Sequence, residues 1–448
     1  MDFVSLIPSA GNLIFTVGAF ILALSIIVTV HEYGHYIVGR WTGIKAEVFS
    51  LGFGPVLAKR TDRNGTQWQI AALPLGGYVR FLGDANVASA KASAEVENMD
   101  AETRRHTMHG APLWARTATV AAGPLFNFAL SILVFAVLAL GRGVAIEPPT
   151  IAQLAPLPPA TMERNELRPG DTILALNGAP TPDYATFYSV VDTLPTDRAP
   201  TYTVRQDGVE RDVAGPYPFP PVVASVQPLS AASEAGMQPG DVVMSIDGSP
   251  IRAFRELQSR VAETDGEPVD VTVWRDGDFL DFSLTPKSMD LPMPDGTFET
   301  RWLIGMTGGL AFESATRRPG PIEALSYGVD QLFFILQSSL SGLYHMVTGA
   351  ISSCNLSGPI GIAESSGAAA SQGVESFVWF IAMLSAAVGL LNLFPIPVLD
   401  GGHLVFYLYE GITGRPPSDR AMRFLMAIGL ALLIGLMSFA LTNDIFCP

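Results

Sequence analysis

The sequence predicts a multi-span α-helical membrane protein: four transmembrane helices, a re-entrant β-hairpin and two small α+β domains. Three observations carry this. Apolar residues make up 48% of the 448-residue chain and charged residues only 15%, a balance that suits an integral membrane protein with soluble parts. Four runs are apolar for long enough to cross a hydrocarbon core of about 30 Å. Between the second and third of them, a stretch repeats itself at a fixed offset. The net charge of −15 argues against nucleic acid as a partner.

The first span lies in segment 1–42. Its run from Leu13 to Val38 holds no charged group outside His31-Glu32-Tyr33-Gly34-His35. In this H-E-x-x-H pattern the histidines are four apart, so a helix stacks both imidazoles on one face, with Glu32 beside them. Two neutral imidazoles can hold Zn²⁺, and a neighbouring carboxylate can take a proton from an attacking water. Isolated matches to the pattern are common, but ionisable residues inside a span are costly and usually functional. With Asp2 and no basic stretch ahead of it, the run reads as an uncleaved span rather than a signal peptide.

Segment 43–112 separates the first two spans. Its basic residues (Arg40 just before it, then Lys45, Lys59, Arg60, Arg63, Arg80, Lys91, Arg104 and Arg105), together with Arg415 and Arg420 before the fourth span, set the orientation. By the positive-inside rule the 40–112 and 396–420 loops face the cytoplasm, and both termini face out. Two apolar-rich runs flank Asn64-Gly65 and predict a hairpin. A hairpin this apolar is either re-entrant or a small exposed sheet, and re-entry requires that protein or a wet cavity satisfy its backbone. Residues 84–109 read as a partly helical, mobile linker. The second span occupies 113–142, interrupted by Arg116 near its start and Asn127 within.

The repeat fills 143–220 and 221–290. Leu167-Arg168-Pro169-Gly170-Asp171 through Asn177-Gly178 recurs as Met237-Gln238-Pro239-Gly240-Asp241 through Asp247-Gly248, an offset of 70 residues. Each copy predicts a Pro-Gly-Asp turn, a strand and an Asx-Gly turn. A helix (Tyr184–Thr193; Phe254–Glu263) and a further strand (Thr201–Arg205; Val269–Arg275) follow. Both copies come after a span that runs outward, which puts them outside the cytoplasm. Cys354 and Cys447 show no metal-ligand spacing and no disulfide framework, and a disulfide between them stays open if both face an oxidising compartment.

Segment 291–373 is a connector. Its run Ile322–Val347 reads as an amphipathic helix on the membrane, and Ser357–Ala363 reads as a turn cluster of undetermined chemistry. The third span and its sequel, 374–403, end in Asn392-Leu393-Phe394-Pro395-Ile396-Pro397-Val398-Leu399-Asp400-Gly401-Gly402-His403. The two prolines break the helix and leave Asp400 just past the cytoplasmic end of the span. His31 lies roughly 27 Å along a span that also begins outside. The histidines and Asp400 therefore reach similar depth, and a carboxylate completes a His₂-carboxylate metal site. His403 is a rival ligand. Segment 404–448 supplies a loop and the fourth span.

Together these motifs resemble the site-2 protease family of intramembrane zinc metalloproteases, in its bacterial regulator of sigma-E protease type with tandem PDZ domains. Gly52-Phe53-Gly54-Pro55, Pro74-Leu75-Gly76-Gly77-Tyr78 and Gly358-Pro359-Ile360-Gly361 also match. The resemblance implies zinc bound by His31, His35 and Asp400, with Glu32 as general base. It implies a substrate strand held by Asn392 and by hairpin residues Gln69, Ile70, Ala71 and Ala72. It further implies single-span membrane substrates such as trimmed anti-sigma factors or remnant signal peptides, and an upstream site-1-type protease. The setting would be the bacterial inner membrane, with the PDZ-like domains periplasmic and the active site near the cytoplasmic side. Two other classes stay open on residues alone: a membrane-anchored PDZ scaffold and a metal transporter. Glu32 counts against the first, and the sparse polar residues of the other spans count against the second.

Overall fold

Long apolar stretches without breakers become helices. A computed structural model describes residues 10–84, 99–159, 165–227, 230–292 and 298–446. Its longer helices are α1 (Ala10–Trp41), α2 (Leu113–Arg142), α3 (Tyr184–Thr193), α4 (Phe254–Ala262), α5 (Pro321–Val347), α6 (Pro359–Ser371), α7 (Val374–Asn392), α8 (Asp400–Thr413) and α9 (Asp419–Phe446). Four are long and apolar enough to cross a membrane, over Leu13–Trp41, Leu113–Arg142, Val374–Asn392 and Arg420–Phe446. Their exposed side chains include Ile14, Leu133, Val137, Phe424 and Ile434. That surface is compatible with lipid because helices satisfy most of their own backbone groups. The expectations for Asp2, for residues 85–98 of the linker and for Cys447 lie outside the described residues.

The chain divides into two compact units, the first made of Met1–Leu138, Pro321–Tyr344 and Leu356–Pro448. In it, β1 (Ala46–Thr61) and β2 (Gln67–Phe81) form a sheet that is more folded than a plain hairpin. Residues 46–51 pair antiparallel with 77–81, and 56–61 pair antiparallel with 67–71. Val48–Leu51 also run alongside Gln67–Ile70 in the same direction. Gly52 and Gly54 (both φ +86°) and Gly76 (φ +153°) make the bends that split each strand in two. The free edges are therefore 56–61 and 77–81. Residues 67–70, within the run expected to hold a substrate strand, have a neighbouring strand on each side. The sheet packs on α1 and α2 through Tyr36, Ile44, Phe49, Val79, Phe81, Ala115 and Val120. Beyond residue 98, a short helix at Ala101–Arg105 begins at Asp100, whose side chain accepts from Thr103 N–H.

Residues 396–420, expected as a loop, are largely helical. The chain leaves α7 at Leu393 and turns tightly (Ile396 N–H to Phe394 O, 2.7 Å). It starts α8 at Asp400 itself. The turn cluster at Ser357–Ala363 is the start of α6, where Asp444 of α9 accepts the N–H groups of Gly358 (2.7 Å) and Ile360 (2.9 Å). Helix α5 exposes Ile322, Phe333, Phe334, Tyr344 and Val347, in keeping with the predicted amphipathic run.

The second unit comprises Ala139–Gly320 and His345–Asn355. Its first half holds β3 (Val144–Ala145), β4 (Ile151–Leu154), β5 (Thr172–Leu176), β6 (Ala179–Pro180), β7 (Thr201–Gln206) and β8 (Val209–Ala214). The second half repeats the plan with β9 (Val223–Val226), β10 (Val242–Ile246), β11 (Ser249–Pro250), β12 (Val269–Arg275) and β13 (Asp278–Leu284). The hairpin β14 (Lys287–Pro292) and β15 (Phe298–Leu303) follows, then β16 (Met306–Gly308), β17 (Phe312–Ser314) and β18 (Thr316–Arg317). The sheet orders β6-β5-β7-β8 and β11-β10-β12-β13 are equivalent. The Pro-Gly-Asp signature has a common cause: Asp171 and Asp241 are buried and accept the N–H of Arg168 and Gln238, each at 2.9 Å.

The two cores do not follow the segmentation of the chain. Ala311 and Phe312, which the sequence reading assigned to the connector, are buried with Ile173, Phe187 and Tyr202 of the first repeat. There β17 pairs with β4, as β16 pairs with β9 in the second repeat. Cys354 is disulfide-bonded, the alternative that the sequence left open. The chain has two cysteines, too few for the spacing to signal a bond.

Candidate metal centre

The site is built within the first unit. Helical periodicity brings His31 and His35 together on α1, with ring centroids 4.8 Å apart and planes at 85°. Asp400 arrives from the first residue of α8. That approach depends on its two following glycines. A Cβ at Gly401 would lie 2.3 Å from the carbonyl oxygens of Leu393 and Phe394, and one at Gly402 would lie 2.3 Å from that of Ile396. Arg116 of α2 fixes the far end of α8 through a forked ion pair with Glu410 (2.6 and 3.1 Å).

The donor atoms of His31, His35 and Asp400 all lie within 4.8 Å of one another. His31 Nε2 is 3.1 Å from Asp400 Oδ2 and 3.2 Å from His35 Nε2, and His35 Nε2 is 3.5 Å from that same oxygen. Donors about 2.0–2.1 Å from a tetrahedral zinc stand roughly 3.3–3.4 Å apart, and the three separations scatter around that value. Asp400 Oδ2 is buried without a hydrogen bond aligned on it. The three atoms form one close cluster. Gly123 of α2 forms the floor, where a Cβ would come within 2.3 Å of His35 Nε2 and 2.9 Å of His31 Cε1. The residues present thus fit a zinc ion in donor type, number and spacing.

The second ring nitrogens both point to α2. His35 Nδ1 lies 2.9 Å from the Thr119 carbonyl oxygen, and His31 Nδ1 lies 3.2 Å from the Asn127 amide. Glu32 takes a hydrogen bond from the Val79 N–H. A cavity of about 240 Å³ holds His31, Glu32, His35, Asn392, Asp400 and His403, with Gly77, Tyr78 and Val79 along one wall. The sequence-predicted residues His31, Glu32, His35, Asp400 and Asn392 therefore come together. The rival ligand His403 lines the cavity but lies outside the three-donor cluster.

The hairpin residues are placed differently. Gln69 is buried and donates to Ser50 Oγ and Tyr78 Oη at 3.1 Å each; Ala71 is buried, while Ile70 and Ala72 are exposed. None of the four lines the cavity, whose strand is 77–81. Sequence reasoning missed Thr119, Gly123 and Val79, which act through backbone or through lack of a side chain. It noted Asn127 only as an interruption. The available signal was the four-residue spacing of 119, 123 and 127, which sets one helical stripe opposite the histidines.

The model of peptidase family M50 matches residues 19–436. A protein named "Putative zinc metalloprotease" from Agrobacterium fabrum is 35% identical over 442 residues, covering 98% of both chains. A protein of the same designation from Rhizobium meliloti is 36% identical over 437 residues, covering 97% of each. The regulator of sigma E protease of Salmonella typhimurium strain LT2 is 34% identical over 464 residues, covering 97% of this chain and 99% of its own.

Proposed function

The chain belongs to peptidase family M50 and is a zinc metalloendopeptidase, and from that premise we propose that it cuts peptide bonds inside the transmembrane segments of single-span membrane proteins. The observation that carries this reading is the convergence of His31 and His35, on a helix long and apolar enough to cross a membrane, with Glu32 beside them and Asp400 at the start of α8. His31, His35 and Asp400 hold the zinc. When bound, zinc acidifies a water and polarises the scissile carbonyl. Glu32 accepts the proton of the attacking water and returns it to the departing amine nitrogen. Val79 N–H keeps the Glu32 carboxyl turned toward the cavity.

A helical substrate hides its carbonyls in i→i−4 bonds and must unwind before attack. Strand 77–81 is an edge of its sheet and walls the cavity, so it is the place where an unwound substrate gains replacement backbone bonds. Asn392 of α7 bounds the same space. The bends expose Phe53, Val56, Leu57, Ile70 and Leu73, whereas the opposite turn carries Lys59, Arg60 and Arg63. The apolar end is the part suited to re-entry. The two repeats act as PDZ-like domains on the periplasmic side, the first completed by β17. The disulfide at Cys354 fits an oxidising compartment for that unit. Trimmed anti-sigma factors and remnant signal peptides are the substrates this arrangement favours, with the repeats sieving out untrimmed ones.

The test uses purified protein and a model single-span substrate. Glu32→Gln is expected to abolish cleavage with zinc still near stoichiometric. Asp400→Ala is expected to lower zinc occupancy and activity together, and His403→Ala to do much less. Near-normal cleavage by Glu32→Gln would overturn the mechanism. Zinc lost from His403→Ala but kept by Asp400→Ala would reverse the ligand assignment.

A further inference from the structure

We propose that Asn127 is a positioning residue of the metal site, holding His31 in its metal-binding tautomer by accepting the Nδ1–H on the amide oxygen. The proposal rests on His31 being a zinc ligand. Asn127 is fully buried in α2, and its amide nitrogen lies 3.2 Å from His31 Nδ1. Its amide oxygen is buried with no hydrogen-bond partner. Orphaned acceptors of this kind are rare in apolar surroundings, where no water compensates them.

Tautomer chemistry supplies the missing partner. His31 Nε2 is the nitrogen that faces Asp400 and His35, so it is the one whose lone pair a metal takes. A neutral imidazole then carries its proton on Nδ1. An amide nitrogen opposite that proton would set two donors against each other while the oxygen stayed unmatched. A half-turn of the amide about its terminal bond exchanges two groups of nearly equal size and brings the oxygen opposite the Nδ1–H. The orientation in the structure suits the other tautomer, with Nε2–H directed at Asp400.

The neighbouring ligand shows what such a contact does. His35 Nδ1 faces the Thr119 carbonyl oxygen at 2.9 Å, an acceptor built into the backbone. Among the described residues no backbone carbonyl is hydrogen-bonded to His31 Nδ1, and the Asn127 side chain two turns further along the same stripe takes that part. Asn127 is itself anchored: Ser385 of α7 donates to its carbonyl oxygen at 3.0 Å. The contact thus ties the H-E-x-x-H helix to α2, and through Ser385 to α7, which ends at Asn392.

The experiment measures zinc affinity of the full-length protein in detergent, by competition with a chromophoric chelator, alongside the melting temperature of each metal-free variant. Loss of such an outer contact typically lowers metal affinity about 10- to 100-fold. Asn127→Ala and the volume-matched Asn127→Leu are expected to lose affinity to that extent. Asn127→Asp, whose carboxylate can only accept, is expected to stay within about threefold of the parent. A merely structural asparagine would show the reverse order, because a buried charge costs more than a leucine there. Should the alanine variant fail to fold, the aspartate–leucine pair decides. Asn127→Leu binding zinc as tightly as the parent, or Asn127→Asp binding as weakly as Asn127→Leu, would overturn the proposal. His31→Ala, run in parallel, separates the two layers. If it keeps zinc the ligand reading fails; if it loses zinc while every Asn127 variant keeps it, only this inference fails.

Discussion

At Gly123 the protein gives up helix propensity for space. Alanine is the better helix former by about 1 kcal/mol, yet a Cβ there would lie 2.3 Å from His35 Nε2. Gly123→Ala is therefore expected to displace the imidazoles, so that zinc affinity falls tenfold or more, read by chelator competition. Unchanged zinc affinity would mean that the imidazoles do not bind metal against α2. The cluster of His31, His35 and Asp400 was legible in the sequence because its chemistry is local: four-residue spacing fixes a helix face, and a carboxylate after a proline break fixes a depth. The supports of those ligands were not. Thr119 and Val79 act through backbone groups that any residue carries, and Asn127 acquires meaning only once α2 is docked beside α1.

The sheet shows where a correct local pattern gives an incomplete element. Asn64-Gly65 marks the turn as predicted, and Asp62 holds it. Asp62 accepts the N–H groups of Asn64 (2.8 Å) and Thr66 (3.0 Å), the Trp68 indole N–H (3.1 Å) and the Tyr36 hydroxyl (3.2 Å). Burial pushes its carboxyl up, but these four donors outweigh burial and hold it below the usual carboxylate range. A depressed folded-state pKa stabilises the turn above the unfolded value of about 3.9, and that contribution is lost as pH falls through the lower folded value. Amide protection at Asn64 and Thr66 is thus expected to persist at pH 5 and to fade only below about pH 4. Asp62→Ala is expected to remove it at every pH, at a cost of roughly 1 kcal/mol. Equal protection in the variant would assign the turn to Gly65 alone. The doubling back at Gly52, Gly54 and Gly76 was not legible, since a bent strand and a turn share the same glycine signal.

Across the whole molecule, the four spans and the two repeats were readable because composition and periodicity report burial directly. The helix Tyr184–Thr193 and the strand Val269–Arg275 fall where periodicity set them. The return of Ala311 and Phe312 to the first core was not readable, because that pairing joins segments far apart in the chain. Helix α8 was read as a loop because its Asp-Gly-Gly start carries a turn signature, and close packing against the preceding carbonyls is a tertiary cause. The central claim is that the site hydrolyses bonds inside a membrane span. Its most direct test is mass-spectrometric mapping of the cut in a model single-span substrate in lipid, for the parent and Glu32→Gln, with and without chelator. The account predicts cleavage within the apolar segment, toward its cytoplasmic end, by the parent alone and only without chelator. Cleavage confined to the aqueous flanks, or persisting in Glu32→Gln, would contradict it.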